Sequence, residues 1–218
     1  MALPTISMFI LTCEKRGDLA IKTIERMRLH SDIPFGPTIV QDRAGIEDLG
    51  LECSHGPTRA TMGHLACIKK GFESGSDYFI VFEDDVTLNR HFWANVRAWP
   101  IMGEECGLQV GSFYRMSGLG HGGSIDNCTL IMNRGFYGAQ AYVMSHHAAK
   151  VMIDHWHEFD KPGDLRIPAI ANKYRLLFVY HKPSLVQHDN APTLATDNRV
   201  GDLFAEDFDP NWLNPEAT

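Results

Sequence analysis

Apolar residues first run together from Ile6 to Thr12, and the run stops at the polar stretch Cys13-Glu14-Lys15-Arg16-Gly17-Asp18, as a buried strand ending in a loop does. Asp18 stands where it can cap a helix. From Leu19 to Leu29 the apolar positions Leu19, Ile21, Ile24, Met27 and Leu29 follow roughly helical spacing, with Lys22, Glu25, Arg26 and Arg28 on another face. A short strand, Pro37 to Val40, ends at Gln41-Asp42-Arg43. The pattern then predicts a helix over Arg59 to Glu73 with Met62, Leu65, Ala66, Ile68 and Phe72 inward. This helix leads to the strongest strand of the chain, Tyr78-Phe79-Ile80-Val81-Phe82, which ends at Glu83-Asp84-Asp85.

Strands alternating with helices predict parallel pairing with right-handed crossovers, which gathers the polar loops at the carboxyl ends of the strands, where open α/β sheets bind ligands. The expected fold class is therefore α/β, three layers in α/β/α order around a mostly parallel sheet. The second half is less regular. It carries a helix near His91 to Trp99, strands near Leu108 to Tyr114 and Thr129 to Asn133, and a Gly-rich loop from Gly118 to Gly123 between them. A strand from Gly138 to Met144 follows, then a helix capped by Ser145 and running to about Trp156, and a last strand, Leu176 to Tyr180.

The 218 residues suit one domain, with a core over about 6–190 and a loosely specified tail over about 197–218. A composition of 44% hydrophobic and 22% charged residues is that of a globular protein. The formal charge of −7 counts against a protein that grips nucleic acid chiefly by neutralising phosphates. Cys13, Cys53, Cys67, Cys106 and Cys128 form no C-x-x-C pair and read as reduced thiols. The opening Met-Ala-Leu-Pro-Thr has no basic, apolar leader, and no stretch approaches the roughly eighteen apolar residues of a membrane span. The expected location is the cytoplasm.

Three adjacent carboxylates at the end of a buried strand repel one another, and a divalent cation compensates them; oxygen ligands of this kind suit Mg²⁺ or Mn²⁺. A solvated strand-end turn or a helix cap carries such residues too. Glu83-Asp84-Asp85-Val86-Thr87 also approximates the D-x-D-x-T of haloacid-dehalogenase phosphatases, but the nucleophilic position holds Glu and the motif follows the third strand instead of the first. Gly118-Leu119-Gly120-His121-Gly122-Gly123 fits G-x-G-x-x-G. Strand-like residues follow it, however, and Val143 stands where an acidic ribose ligand belongs, so a flexible loop near the active site is the preferred reading. His155 and His157 point to different helix faces, and His146 and His147 are adjacent, so neither pair chelates well. Asp164, in Lys161-Pro162-Gly163-Asp164-Leu165, suits either a helix cap or a general base.

Taken in order, the apolar first strand, the strand ending in Glu83-Asp84-Asp85, Gly138-Ala139-Gln140-Ala141-Tyr142-Val143-Met144-Ser145, the acidic turn at Asp164 and Pro183-Ser184-Leu185-Val186-Gln187-His188 resemble a GT-A glycosyltransferase. The likeness covers about Ile6 to Asn190 and is nearest to bacterial lipopolysaccharide transferases and N-acetylglucosaminyltransferases with a terminal P-S-L-V-Q-H. It implies a Rossmann-like GT-A domain that binds a nucleotide-sugar, a UDP-sugar by preference. Asp85 and His188 hold Mn²⁺ or Mg²⁺, Glu83 lies near the ribose or a metal-bound water, and Asp164 is the base of an inverting transfer. Glu83 departs from the Asp of many relatives. Thr12, Glu14, Arg16, Asp42, Arg59, His64 and Asp84 fall in regions that surround the nucleotide in that family.

The acceptor implied is a glycan hydroxyl or a hydroxymethylated base in DNA. The latter requires a cationic strip to which Arg115, Arg134, Lys173 and Arg175 are the candidates. A non-catalytic nucleotide-sugar-binding module with the same fold is the reading from another class.

Overall fold

A computed structural model describes residues 3–43, 47, 56–103, 107–116, 118, 120–132, 139–189, 204–205 and 207–217, with backbone alone at 56–58 and 103. Strand β1 (Ile6–Thr12), helix α1 (Gly17–His30), β2 (Thr38–Gln41), α2 (Gly56–Glu73) and β3 (Tyr78–Glu83) follow one another as the apolar pattern predicts. A short β4 (Val86–Leu88) and α3 (Phe92–Arg97) come next, then β5 (Val110–Ser112), β6 (His121–Asp126), β7 (Thr129–Met132) and β8 (Ala141–Ser145). Helices α4 (His146–His155) and α5 (Gly163–Lys173), β9 (Phe178–His181) and β10 (Val186–His188) complete the regular elements.

The main sheet has the order β2-β1-β3-β8-β5-β9-β7-β6. β2, β1 and β3 are mutually parallel, β8 opposes both of its neighbours, β9 runs parallel to β5, and β7 opposes β9 and β6. Six of the eight strands thus share a direction, so the mostly parallel α/β expectation holds. Because β8 is reversed, it enters the sheet at the edge where β3 leaves it.

One face of the sheet packs Phe9, Val81, Tyr142 and Tyr180 against Leu65 and Ile68 of α2, Met152 of α4 and Ile167 of α5. The other face packs Ile10, Ile80, Phe82 and Val143 against Ile24 and Met27 of α1 and Phe92 and Val96 of α3. These are the three layers. Phe79, Ile80, Val81 and Phe82 are fully buried, since β3 is covered on both faces, and burial stabilises by roughly 1.5–3 kcal/mol for each large side chain.

Local signals hold unevenly. The Ser145 hydroxyl accepts from the Ala148 N–H at 3.2 Å and caps α4 as expected. Asp18 does not cap α1, because a 3-10 turn over Glu14–Arg16 runs straight into the helix and moves its start back, leaving Asp18 in the first turn. The predicted glycine loop of 118–123 is strand from His121 onward. His121–Asp126 is the edge strand β6, paired with β7, and its register slips between His121 and Gly123, where Gly123 has φ 142°. A chain with that slip keeps its ladder on one side only, as sheet edges allow.

The segment from Phe204 to Ala217 straps the second face. The Asn89 amide donates to the carbonyls of Asp209 and Trp212, the buried Asn95 side chain binds Trp212 O and the Asn214 N–H, and Ser184 and Arg115 hold Asp207.

Candidate active site

The carboxyl ends of β1, β2 and β3 meet β10 and the start of α5 on one edge. Glu83 closes β3, Asp84 and Asp85 make the turn into β4, and β4 pairs antiparallel with β10 so that Val86 faces His188. The Asp189 N–H donates to the Asp85 carbonyl at 2.7 Å, and the Asp189 carboxylate accepts from Thr87 Oγ1 and pairs with Arg26. This ribbon brings His188 Nε2 to 3.5 Å from Asp85 Oδ2. Ligand atoms of Glu83, Asp85 and His188 all lie within 4.8 Å of one another.

Asp84 is tied to β1 and α1. Its carboxylate accepts from the Thr12 hydroxyl at the end of β1, and its carbonyl accepts from Thr23 Oγ1 on α1. Arg16 reaches over both acids, with Nη2 2.9 Å from Asp84 Oδ1 and 2.5 Å from Asp85 Oδ2. Burial raises Asp84 to about 6; Thr12 and Arg16 oppose that rise, and the neighbouring acids add to it. Burial also pushes Asp85 upward, but His188 and Arg16 outweigh it and hold the group below the ordinary range. Burial lowers His188, and Asp85 more than reverses that, so the imidazole ends above its usual value.

Asp85 Oδ1 and His188 Nδ1 are buried without a hydrogen-bond partner. A carboxylate oxygen left unpaired in the interior beside a second acid and an imidazole fits a divalent cation, which takes such a donor set.

Across the edge, His64 of α2 stands 3.5 Å from Glu83 Oε1 through Nε2 and 3.3 Å from the Tyr142 hydroxyl through Nδ1. α5 starts against this group. The Gly163 N–H donates to Thr61 Oγ1, and a Cβ on Gly163 would come to 3.1 Å from His64 Cδ2. Asp164 follows in the first turn of α5, with Pro162 at the cap position in place of the expected Asp164. Burial raises the Asp164 pKa, His64 opposes the rise, and the Glu83 charge adds to it. Pro168, inside α5, has no N–H to offer the Asp164 carbonyl four residues earlier.

A second part of the edge lies at β2. Asp42, buried at its end, pairs with Arg59 of α2 at 3.2 Å. Gly63 lets α2 approach this closely, since a Cβ there would meet Leu11 Cδ1 at 2.8 Å. Glu14 is exposed beside β1, and its charge reaches Arg43.

The structure thus brings Thr12, Arg16, Asp84, Asp85 and His188 together, sets Glu83, His64 and Asp164 next to them, and leaves Asp42 with Arg59, and Glu14, on the flank. Among the described residues it does not assemble the cationic strip. Arg115 is held by Asp207, Lys173 is bound to Glu158, and Lys173 and Arg175 sit at the far end of α5 from Asp164; Arg134 lies outside the described residues. Pattern reasoning passed over Tyr142, whose hydroxyl meets His64. In the sequence Tyr142 looks like a core residue of a strand, so nothing in the pattern marks it.

No protein-family model matches the chain, and no curated protein matches it. Among solved structures, a glycosyltransferase involved in glycosylation of the major capsid of PBCV-1 is similar in shape, with 11% identity over 87% of this chain and 95% of that one and a TM-score of 0.49. Among the described residues, no helix is long and apolar enough to cross a membrane.

Proposed function

We propose that the chain is a GT-A glycosyltransferase that moves a sugar from a nucleoside diphosphate donor, a UDP-sugar by preference, to an acceptor hydroxyl with inversion, and that it depends on a divalent metal. The observation that carries this reading is the meeting of Glu83, Asp85 and His188 within 4.8 Å on the strand-end edge, with Asp85 Oδ1 buried and unpaired. The mixed imidazole and carboxylate donors favour Mn²⁺ over Mg²⁺, which prefers oxygen alone. When bound, the cation neutralises the charge that grows on the leaving diphosphate.

The remaining work falls to side chains. Asp164 takes the acceptor proton as the acceptor oxygen bonds to the anomeric carbon and the bond to the diphosphate breaks. A carboxyl held above its usual pKa by burial is a better proton acceptor for this step than a solvated one. Asp42 and Arg59 flank the nucleotide, and His64 orients Glu83. Thr12 fixes Asp84, which keeps the turn rigid.

The test is incubation with a panel of nucleotide-sugars and Mn²⁺, following release of nucleoside diphosphate with and without EDTA, and then a panel of glycans and modified DNA as acceptors. Release that requires Mn²⁺ supports the reading. A protein that binds none of these donors, or turns them over unchanged in EDTA, overturns it.

A further inference from the structure

His188 meets Asp85 at the end of a strand only three residues long, so a long ladder is not what holds it there. Metal-binding histidines are usually oriented by an acceptor outside the ligand set. Among the described residues the His188 ring has no such partner: Asp85 is itself a candidate ligand, and Nδ1 is buried without a hydrogen bond. The position of the imidazole is therefore left to the backbone of His188 and to what fixes its neighbour, Asp189.

Asp189 is tied on three sides. Its N–H donates to the Asp85 carbonyl at 2.7 Å, its Oδ1 accepts from Thr87 Oγ1 at 2.6 Å, and its Oδ2 pairs with Arg26 Nη1 at 2.5 Å. Arg26 belongs to α1, and Thr23 stands three residues earlier on the same face of that helix. Arg26 Nη2 donates to Thr23 Oγ1 at 2.9 Å, and the Thr23 hydroxyl donates to the Asp84 carbonyl at 2.7 Å. These bonds close a ring from the acidic turn through α1 to Asp189 and back to the turn. α1 thereby holds both sets of candidate ligands, the carboxylates through Thr23 and the histidine strand through Arg26.

Stability does not account for the outer half of this ring. Arg26 keeps 42% of its side-chain surface in water and Asp189 26%, and ion pairs so exposed add little to the fold. What the pair fixes is where His188 stands.

We propose that Arg26 is a positioning residue for the metal site: through Asp189 it holds His188 at the carboxylates of the acidic turn. The proposal rests on the metal-dependent reading above, and its sign is opposite to that of simple electrostatics. Loss of a nearby positive charge by itself strengthens the binding of a cation, whereas loss of the brace weakens it.

The experiment is calorimetric titration of the full chain with MnCl₂, without donor, for the wild type, Arg26→Met, His188→Ala and the double variant. Arg26→Met, which keeps the stem and removes the charge, is expected to bind Mn²⁺ about 10-fold more weakly, as when an outer partner of a metal ligand is removed. In the His188→Ala background the same substitution is expected to cost nothing, because Arg26 acts through the imidazole. The Tm of the Arg26→Met protein in EDTA is expected to fall by less than about 4 °C. An Mn²⁺ affinity that is unchanged or higher in Arg26→Met, an equal loss with and without His188, or a larger fall in Tm overturns the proposal while leaving the ion site standing. A wild type that binds no Mn²⁺ overturns the parent reading, and this proposal with it.

Discussion

Arg16 is the cation that bridges the acidic turn, and Arg16→Met separates that duty from the shape of the side chain. The guanidinium bridges Asp84 and Asp85, two carboxylates of which only 3% is exposed in each case. Removing one partner of a buried ion pair costs about 3–5 kcal/mol. The lower end applies because the Arg16 side chain keeps 19% of its surface in water and because Asp84, raised to about 6, can take up a proton instead. About 3 kcal/mol in a chain of this size corresponds to a fall in Tm of roughly 6–12 °C. The assay is thermal unfolding at pH 7.5 with EDTA and with saturating Mn²⁺. In EDTA the variant melts lower by that amount; in Mn²⁺ the gap narrows, because the ion supplies the missing charge and no longer competes with an arginine for Asp85. A variant as stable as the wild type in EDTA, or one that Mn²⁺ stabilises no more than it stabilises the wild type, refutes this account of the turn.

Four further outcomes are expected. Asp85→Asn abolishes Mn²⁺ binding as read by calorimetry, and with it metal-dependent turnover. Asp164→Asn keeps donor affinity and lowers the transfer rate by roughly 10²-fold or more, and full activity in that variant removes Asp164 from the base role. His181 is fully buried between Trp99 and Trp212, and burial lowers its pKa to about 4 although it lies against the Pro183 carbonyl. A histidine depressed when folded is protonated more readily when unfolded, so its contribution is complete above about pH 6.5 and is lost as pH falls toward 4. Denaturant titrations at pH 7 and pH 5 should differ by about 2 kcal/mol from this group, a difference absent in His181→Phe. Asn95→Ala removes the amide that joins Asn89, Trp212 and Asn214 in the interior, and the cost of leaving those partners unpaired, about 2–4 kcal/mol, is read from urea midpoints.

Much of the first half was legible because its signals are local. An unbroken apolar strand from Tyr78 to Phe82 followed by three acids marks a covered central strand with chemistry at its end, and the amphipathic spacing before it marks the crossover helices. His188 could be suspected from its place after Pro183-Ser184, but its meeting with Asp85 depends on a two-stranded ribbon of three residues a side, too short for periodicity to announce. The reversed β8 was hidden for another reason: a strand buried on both faces reads the same in either direction. The strap from Phe204 to Ala217 is polar and proline-bearing and reads as an idle tail, whereas its backbone carbonyls are the acceptors for Asn89 and Asn95.

The pairing of β4 with β10 joins Thr87 to Asp189 across a separation of 102 positions. On the ribosome, β1 to β3 and their helices emerge early and can begin to condense, yet His188 arrives only after β9 has been made. A product cut short anywhere before that point has the acids without the imidazole that stands 3.5 Å from Asp85.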